Sequence, residues 1–232
     1  DFTLHLADAA TGPAEMVLVH TAALHVPLVA EESTIDLPPF FIDRYEVTNR
    51  EFKRFVDAGG YEKREYWKHP FVLDGRDLSW TQALEGFRDT TGRPGPAGWE
   101  LGRYPEGEDD LPVTGVSWYE AAAYAEFVDK TLPTLHHWRH AAGLGVGFEI
   151  VPLSNFGGRK PHPVGTDRSL SPYGTFDMAG NVKEWCWNAT LRGERYIAGG
   201  AYGDPEYLFS EAERRPPFQR EAAMATAWAQ VH

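Results

Sequence analysis

Apolar residues recur at helical spacing at two places in the chain, and a helix-capping pattern precedes each of them. Thr48-Asn49-Arg50-Glu51 and Ser117-Trp118-Tyr119-Glu120 both place a Ser or Thr three residues before a Glu. In such a capping box the two side chains satisfy free amide groups at a helix start. Phe52, Phe55 and Val56 then share one face of the first predicted helix. The second helix is predicted to be the strongest in the chain, with one apolar face that begins at Trp118.

Shorter patterns predict the remaining elements. A third helix is expected from Thr134 to Gly143, and short apolar runs are typical of buried strands. These predicted strands are Phe2–Leu6, Met16–Val19, Phe40–Tyr45, Glu184–Asn188 and Arg195–Ala198. Residues 61–111 and 202–219 show no sustained period and are predicted to be irregular. Periodicity alone therefore indicates an α+β fold.

Composition is consistent with one large domain. The 232 residues are 42% hydrophobic and include 13 Phe, 10 Tyr and 8 Trp, so aromatic side chains are expected to dominate one core. We interpret residues 1–15 as a lead-in segment and 16–232 as a single domain. Because the chain opens on Asp1 without an initiator Met or a signal-peptide pattern, it is expected to be a piece of a larger protein or a processed form.

Charge and cysteine usage exclude some functions. The formal net charge is −12 and no Lys/Arg run is present, so a nucleic-acid backbone would be repelled. No apolar run approaches the roughly 18 residues of a membrane span, so this segment is not expected to insert into a membrane. The single cysteine permits no intrachain disulfide, which is compatible with the cytoplasm but leaves the compartment open.

Candidate metal chemistry lies between Gly174 and Trp185. Two carboxylates, Asp177 and Glu184, flank the corner Gly180-Asn181, where a tight or left-handed backbone is easily adopted. Calcium prefers carboxylate and carbonyl oxygens that converge from one short loop. A hydrogen-bonded turn, in which the carboxylates accept from backbone amides, is the alternative.

The same stretch resembles the signature of the formylglycine-generating enzyme (sulfatase-modifying factor) family, Gly-Leu-Tyr-Asp/Asn-Met-X-Gly-Asn-Val-X-Glu-Trp. Further marks follow in family order between about Met16 and Arg220. They are Phe41–Asn49 with Phe52, Pro112–Trp118, Leu132–Thr134 with Trp138 and Ala141-Ala142, Pro163–Gly165 and Gly199–Tyr202. The resemblance implies a mixed α+β domain related to C-type lectin-like folds, with a few helices, a small antiparallel sheet and many packed loops.

The resemblance also implies one structural calcium site. Its ligands would be the side chains of Asp177 and Glu184 and the backbone carbonyls of Gly180 and Val182. A second family calcium loop would lie between Ala142 and Pro163. That region is short here and carries Gly157-Gly158-Arg159-Lys160, so we expect the second site to be missing.

Catalytic copper is not expected. Family enzymes hold copper through two cysteines located three and eight residues after the Ser of a Gly-Gly-Ser mark. This mark is matched by Gly199-Gly200-Ala201, which places Asp204 and Phe209 at the two positions. Neither side chain supplies the soft thiolate that selects Cu(I). Relatives that form sulfoxides use a separate iron domain with a His-X-X-X-His-X-Glu pattern, which these residues lack.

Two other groups of residues invite a metal or redox interpretation. Cys186, between two tryptophans, is predicted to be a small buried apolar residue rather than a reactive thiol. His136 and His140 are four residues apart, as zinc ligands often are, and His137 lies between them. Because no acidic residue lies within that helix to complete a zinc site, we interpret the three as solvated helix-face histidines.

A ligand site is predicted where the active relatives bind their peptide. Tyr202, Asp204, Glu206 and Tyr207 would line or border it, and their alternative role is ordinary loop surface. The closing Gly-Phe-Arg motif of the family is not found before the C-terminal residues. We therefore expect an altered final strand.

Two functions remain open. The first is a non-catalytic ligand-binding or regulatory module, since the segments Asn181–Asn188 and Gly199–Pro205 are similar to domains appended to bacterial serine/threonine protein kinases. Its partners would be an unknown peptide or small molecule and the other domains of that larger protein. The alternative is a diverged oxidoreductase that works without the cysteine pair, with Asp204 or Glu206 as acid or base.

Overall fold

The computed structural model describes residues 13, 15–20, 22–27, 32–143, 147–209, 213–220, 223–225 and 228–230, so the predicted strand Phe2–Leu6 lies outside it. The strands are β1 Met16–Val19, β2 Ala22–Pro27, β3 Glu32–Leu37, β4 Phe40–Asp43, β5 Phe71–Leu73, β6 Arg76–Leu78, β7 Lys183–Ala189, β8 Arg195–Ala198, β9 Glu213–Arg215, β10 Ala223–Ala225 and β11 Trp228–Gln230. The helices are α1 Asn49–Asp57, α2 Trp80–Leu84, α3 Trp118–Phe127, α4 Leu135–Ala142 and α5 Gly147–Ile150.

The three predicted helices are confirmed, and their start signals work as expected. At α1 the Thr48 Oγ1 accepts from the Glu51 amide at 3.2 Å, while Glu51 Oε2 accepts from the Thr48 amide at 2.8 Å. Ser117 and Glu120 form the same capping box at α3. The prediction of one apolar face on α3 was wrong, because every residue from Trp118 to Ala125 is buried. Its alanines let neighbouring elements approach from all sides.

Two small sheets organise the chain. β1, β4 and β11 form an antiparallel sheet with β4 at its centre. The other sheet has the order β10-β7-β8-β9, in which only the β10–β7 pair is parallel. The hairpins β2–β3 and β5–β6 complete the pairing among the described residues. The tail thus contributes a strand to each sheet although the Gly-Phe-Arg motif is missing.

Both segments that were predicted to be irregular contain regular elements. Residues 61–111 hold a 3₁₀ turn at Arg64–Tyr66, the β5–β6 hairpin and α2. Residues 202–219 include a second 3₁₀ turn at Glu206–Leu208 and the strand β9. These elements are three to five residues long. Such lengths are too short for a hydrophobic period to be recognised.

Aromatic stacking fixes the longest of these segments. Trp67 stacks on Phe87 with ring centroids 5.3 Å apart, and Phe87 stacks on Phe218 at 5.5 Å. These rings belong to a core around α1 and α3, while a second core lies between β1, β4 and α4. Within the described part of the chain, no helix is long and apolar enough to cross a membrane.

Candidate functional site

The loop that leads into β7 is bent by three residues with left-handed backbone conformation. Asp177, Gly180 and Asn181 adopt the left-handed conformation, with φ values of 58°, 72° and 53°. Gly180 also has no room for a side chain, because a Cβ there would lie 2.5 Å from the carbonyl oxygen of Asn155. The predicted Gly-Asn corner is therefore present, and it presses against the Asn155 segment.

Asn181 is the centre of the hydrogen bonding around this loop. Its fully buried side chain donates to Glu46 Oε2 at 2.6 Å and to the His162 carbonyl at 3.3 Å. Its Oδ1 accepts from the His162 amide at 2.8 Å and from Asn155 Nδ2 at 3.2 Å. One amide side chain thus joins three segments that are distant in sequence.

Three buried carboxylates surround this amide. Asp177 accepts from the Gly165 amide at 2.7 Å and from the Ser169 hydroxyl at 3.4 Å. Burial raises the pKa of Asp177 to about 6, against these hydrogen bonds. Glu184 accepts from the indole N–H of Trp138 at 2.8 Å. Burial, followed by repulsion from Asp177 and Glu184, raises the pKa of Glu46 well above its usual range. Glu46 therefore lies within electrostatic reach of both Asp177 and Glu184.

The side chains near this loop offer the oxygen ligands that calcium prefers. Asp177 and Glu184 carry hard oxygen donors of this type. Among the described residues, however, no three His, Cys, Asp or Glu side chains are placed to hold a metal ion. Calcium would therefore also need the carbonyl oxygens of Gly180 and Val182.

The loop that would carry a second calcium site packs against the segment after β8. The Gly158 amide donates to the Tyr202 carbonyl at 2.7 Å, and the Gly157 amide donates to the Asp204 carbonyl at 3.4 Å. Its backbone is thus used for packing. The expected loss of the second calcium site stays a prediction.

Asp204 and Phe209, the two positions that the Gly199-Gly200-Ala201 mark assigns to the copper cysteines, both make contacts within the fold. Asp204 Oδ2 accepts from the Ala201 amide at 3.0 Å and pairs with Lys183 Nζ at 2.9 Å. Lys183 also pairs with Glu213 at 2.5 Å, which links β7 to β9. Phe209 is buried, with its ring centroid 6.4 Å from that of Trp138. Neither position offers a free ligand.

The predicted ligand-binding residues fall into two groups. Tyr202 and Asp204 belong to a turn, and the Tyr202 amide donates to the Asn181 carbonyl at 2.8 Å, so this turn is tied to the carboxylate loop. Glu206 and Tyr207 lie on the following 3₁₀ turn, where the Tyr207 side chain is 76% exposed. Glu206 and Tyr207 are therefore the better placed of the four to meet a ligand.

Cys186 is fully buried, and burial followed by repulsion from Glu184 raises the pKa of its thiol well above the usual value. The prediction of an inert buried cysteine is confirmed by its position. The three histidines, which were interpreted as solvated, are each partly buried. His137 packs edge-on against Phe40 at 4.7 Å, because α4 lies against β4.

Sequence reasoning missed the role of Glu46. Its signal was an acidic residue among apolar positions in the motif Phe41–Asn49, immediately after a predicted strand. A carboxylate there has to be buried, and buried carboxylates need hydrogen-bond donors. The donors come from Asn181 and the Val182 amide, which local patterns do not connect to Glu46.

Three known proteins show clear sequence similarity to this chain. The formylglycine-generating enzyme of Thermomonospora curvata is 33% identical over 208 residues, covering 68% of this chain and 64% of the relative. A serine/threonine-protein kinase, pkn1 of Chlamydia caviae, is 35% identical over 160 residues, covering 66% of this chain and 23% of the kinase. Hercynine oxygenase of Mycolicibacterium smegmatis is 32% identical over 173 residues, covering 65% of this chain and 37% of the relative. The chain thus spans less than two thirds of the length of each of these relatives.

Among solved structures, CarF superposes with a TM-score of 0.64 at 20% identity, covering 95% of this chain and 99% of CarF. The fold is accordingly the α+β fold of formylglycine-generating enzymes, related to C-type lectin-like folds. The sulfatase-modifying factor enzyme 1-like domain matches residues 7–227. The chain therefore belongs to the sulfatase-modifying factor family, and its single cysteine, Cys186, cannot supply a cysteine pair.

Proposed function

We propose that this chain is a non-catalytic, ligand-binding or regulatory module of a larger bacterial protein. The main observation behind the proposal concerns Asp204 and Phe209, which stand where the family enzymes have their copper-binding cysteines. Asp204 is held in an ion pair with Lys183, and Phe209 is part of the core. Copper binding at this place would need two thiolates in positions that now stabilise the fold.

The kinase relatives support the modular part of the proposal. Similarity covers 66% of this chain but only 23% of pkn1 of Chlamydia caviae, so most of that kinase lies outside the shared domain. A domain of this family can therefore be one part of a multidomain protein. In this arrangement, Glu206 and the exposed Tyr207 would contact a peptide or a small molecule, and Tyr202 and Asp204 would support them.

A structural calcium ion completes the proposal. It would be held by Asp177, Glu184 and the carbonyls of Gly180 and Val182. Its positive charge would offset the repulsion of Glu46 by Asp177 and Glu184, which adds to burial in raising the pKa of Glu46. The ion would stabilise the loop beneath the Tyr202 turn and take no part in chemistry.

Copper loading tests the non-catalytic assignment. The purified chain is incubated with Cu(I), oxygen and a cysteine-containing peptide, then desalted and analysed for copper and for aldehyde in the peptide. The formylglycine-generating enzyme of Thermomonospora curvata serves as the positive control. We expect no stoichiometric copper and no aldehyde. Either one at a level comparable with the control enzyme would refute the proposal.

The ligand-binding part of the proposal is tested separately, by measuring peptide binding. A peptide library is screened against the chain and against the variant Tyr207→Ala, with Leu191→Ala, a change at another exposed apolar side chain, as the control. We expect selected peptides to lose affinity in Tyr207→Ala alone. Equal binding by all three proteins would place the ligand elsewhere.

The similarity to hercynine oxygenase favours a second candidate, a diverged oxidoreductase. In this case Glu206 is the available acid or base, because Asp204 is already paired with Lys183. Oxygen uptake with small thiols is measured in the presence of iron or copper. Uptake above the metal-only rate that disappears in Glu206→Gln would support this candidate over the first.

A further inference from the structure

A cleft of about 420 Å³ lies where the end of β4, the start of α1 and the chain after α3 meet. Its volume falls within the roughly 300–1,000 Å³ of small-ligand sites. It shares no lining residue with the Tyr202–Tyr207 segment. Its lining includes Asp43, Tyr45, Glu46, Glu51, Tyr124 and Lys130.

The cleft contains an ion pair that is largely shielded from water. Lys130 Nζ lies 2.5 Å from Asp43 Oδ1, and their side chains are only 23% and 13% exposed. Burial raises the pKa of Asp43 to about 6; Lys130 opposes this rise, whereas Glu51 and Glu15 add to it. The effect of burial on the pKa of Asp43 therefore outweighs the opposing effect of Lys130.

Carboxylates outnumber cations among the residues that line the cleft. The charged lining residues are Glu15, Asp43, Glu46, Glu51 and Asp110 together with Arg50, Arg54 and Lys130. Glu46 already accepts two hydrogen bonds from the Asn181 loop. Glu51 uses Oε2 for the capping box, which leaves Oε1 as an acceptor. Of the cations, Arg50 is bonded to Asp110 at 2.8 Å and Lys130 to Asp43 at 2.5 Å.

Two tyrosines add aromatic surface to this negative charge. The Tyr124 ring stacks on Phe52 and the Tyr45 ring stacks on Phe176, each with centroids 5.3 Å apart. Both rings are thus fixed before a ligand arrives. Aromatic faces next to carboxylates favour organic cations, because the ring quadrupole attracts positive charge.

We propose that this cleft binds an alkylammonium group, carried by a small free amine or by a lysine side chain of a partner peptide. The ammonium would lie between the free oxygens of Asp43 and Glu51, with its alkyl chain along Tyr124. An anionic ligand is disfavoured because carboxylates outnumber cations among the lining residues. An inorganic cation is disfavoured since, in the part of the chain that the structure describes, no three His, Cys, Asp or Glu side chains converge on one point.

Calorimetry on the whole chain tests the proposal. The probes are 1,4-diaminobutane for the free amine and N-acetyl-lysine methylamide for the side chain, with 1,4-butanediol as the uncharged analogue. Glu51→Gln and Asp43→Asn remove one charge each, and a glutamine still supports a capping box. Glu126→Gln, an exposed carboxylate on α3 outside the cleft, is the matched control.

We expect saturable one-site binding of at least one amine and none of the diol. Loss of a charge-assisted hydrogen bond should weaken binding about tenfold in Glu51→Gln and Asp43→Asn, and less than about twofold in Glu126→Gln. Binding of diaminobutane alone identifies a free amine as the ligand, while binding of both probes identifies a lysine side chain.

Three results would overturn the proposal. They are no saturable binding of either amine, equal weakening in Glu126→Gln, and displacement of the amine by stoichiometric calcium. Thermal melting of each variant confirms its folding. If Asp43→Asn does not fold, Glu51→Gln still decides the question. The outcome is independent of the copper test, because the two sites have no residue in common.

Discussion

The side-chain amide of Asn181 donates a 2.6 Å hydrogen bond to a carboxylate oxygen of Glu46, 135 positions earlier in the chain. The other Glu46 oxygen accepts from the Val182 amide at 3.2 Å. Both residues are buried, with exposures of 0% for Asn181 and 2% for Glu46. This pair fastens the loop before β7 to the connection between β4 and α1, and so fixes the position of the candidate calcium ligands.

Replacing Asn181 by Ala should destabilise the fold strongly. The change leaves Oε2 of the buried Glu46 carboxylate and the His162 amide without this partner, and each such loss costs about 1–3 kcal/mol. Alanine also disfavours the φ of 53°. We expect the free energy of unfolding in urea to fall by about 3 kcal/mol or more. Glu46→Gln should lose less, since it keeps one acceptor and removes a buried charge. A loss below about 0.5 kcal/mol in Asn181→Ala would contradict the central role of this amide.

Calcium should raise the melting temperature of the protein. At about 100 times its dissociation constant, a ligand that binds only the folded state adds about 2.7 kcal/mol. For a chain of this size this corresponds to an increase of about 5–10 °C. Glu184→Gln should abolish the response, and magnesium should not replace calcium because it demands a smaller octahedral site. A melting curve that is unchanged by both calcium and EDTA would remove the ion from the proposal.

Local signals were sufficient to predict α1, α3 and α4. Each begins with a cap whose partners lie within three residues, so the sequence neighbourhood contains all of the information. Residues 61–111 were misread because their order comes from distant aromatic contacts. Phe87, for example, stacks on Phe218 across 131 positions. No periodicity can report such a contact.

The candidate site was predictable only in part for the same reason. The family motif identified Asp177 and Glu184, and it identified Asp204 and Phe209 at the copper positions. The partner of Glu46 could not be found, because burial and the Asn181 contact are tertiary properties. The cleft proposed to bind an alkylammonium group was missed entirely, since its walls come from five separate segments.

The ion pair between Arg220 and Glu120 should be a further major source of stability. Two contacts join the side chains, Nη2–Oε1 at 2.8 Å and Nε–Oε2 at 3.1 Å, with exposures of 11% and 0%. Arg220 also donates to the Arg88 carbonyl at 2.5 Å and so ties residues 61–111 to α3. Arg220→Met should cost about 3–5 kcal/mol because it leaves a buried carboxylate unpaired.

A double-mutant cycle separates the pair from the packing around it. Glu120→Gln combined with Arg220→Met should be less damaging than the sum of the two single changes, because the combination leaves no buried charge. Strict additivity would mean that the stabilisation comes from the Arg220 contacts with backbone carbonyls instead. Urea denaturation of the four proteins gives the required values.

Asp43 should give the protein a specific pH dependence. Its pKa in the folded state is raised from 3.8 to about 6, mainly by burial and against the effect of Lys130. The folded protein therefore holds a proton on Asp43 that the unfolded chain releases near pH 4. The favourable contribution is complete below about pH 4 and is lost as the pH rises to about 6. With a side chain only 13% exposed, the full effect is roughly 3 kcal/mol.

Comparison with Asp43→Asn isolates this effect from the other carboxylates. The difference in unfolding free energy, wild type minus variant, should fall between about pH 4 and pH 6 and be constant above. Asn cannot titrate, so any constant cost of leaving Lys130 unpaired does not alter the slope. The urea midpoint of both proteins is measured at half-unit pH steps. A difference that is constant between pH 4 and pH 6, and that rises with pH only below about pH 4, would show that Lys130 dominates and that the pKa of Asp43 lies below its ordinary value.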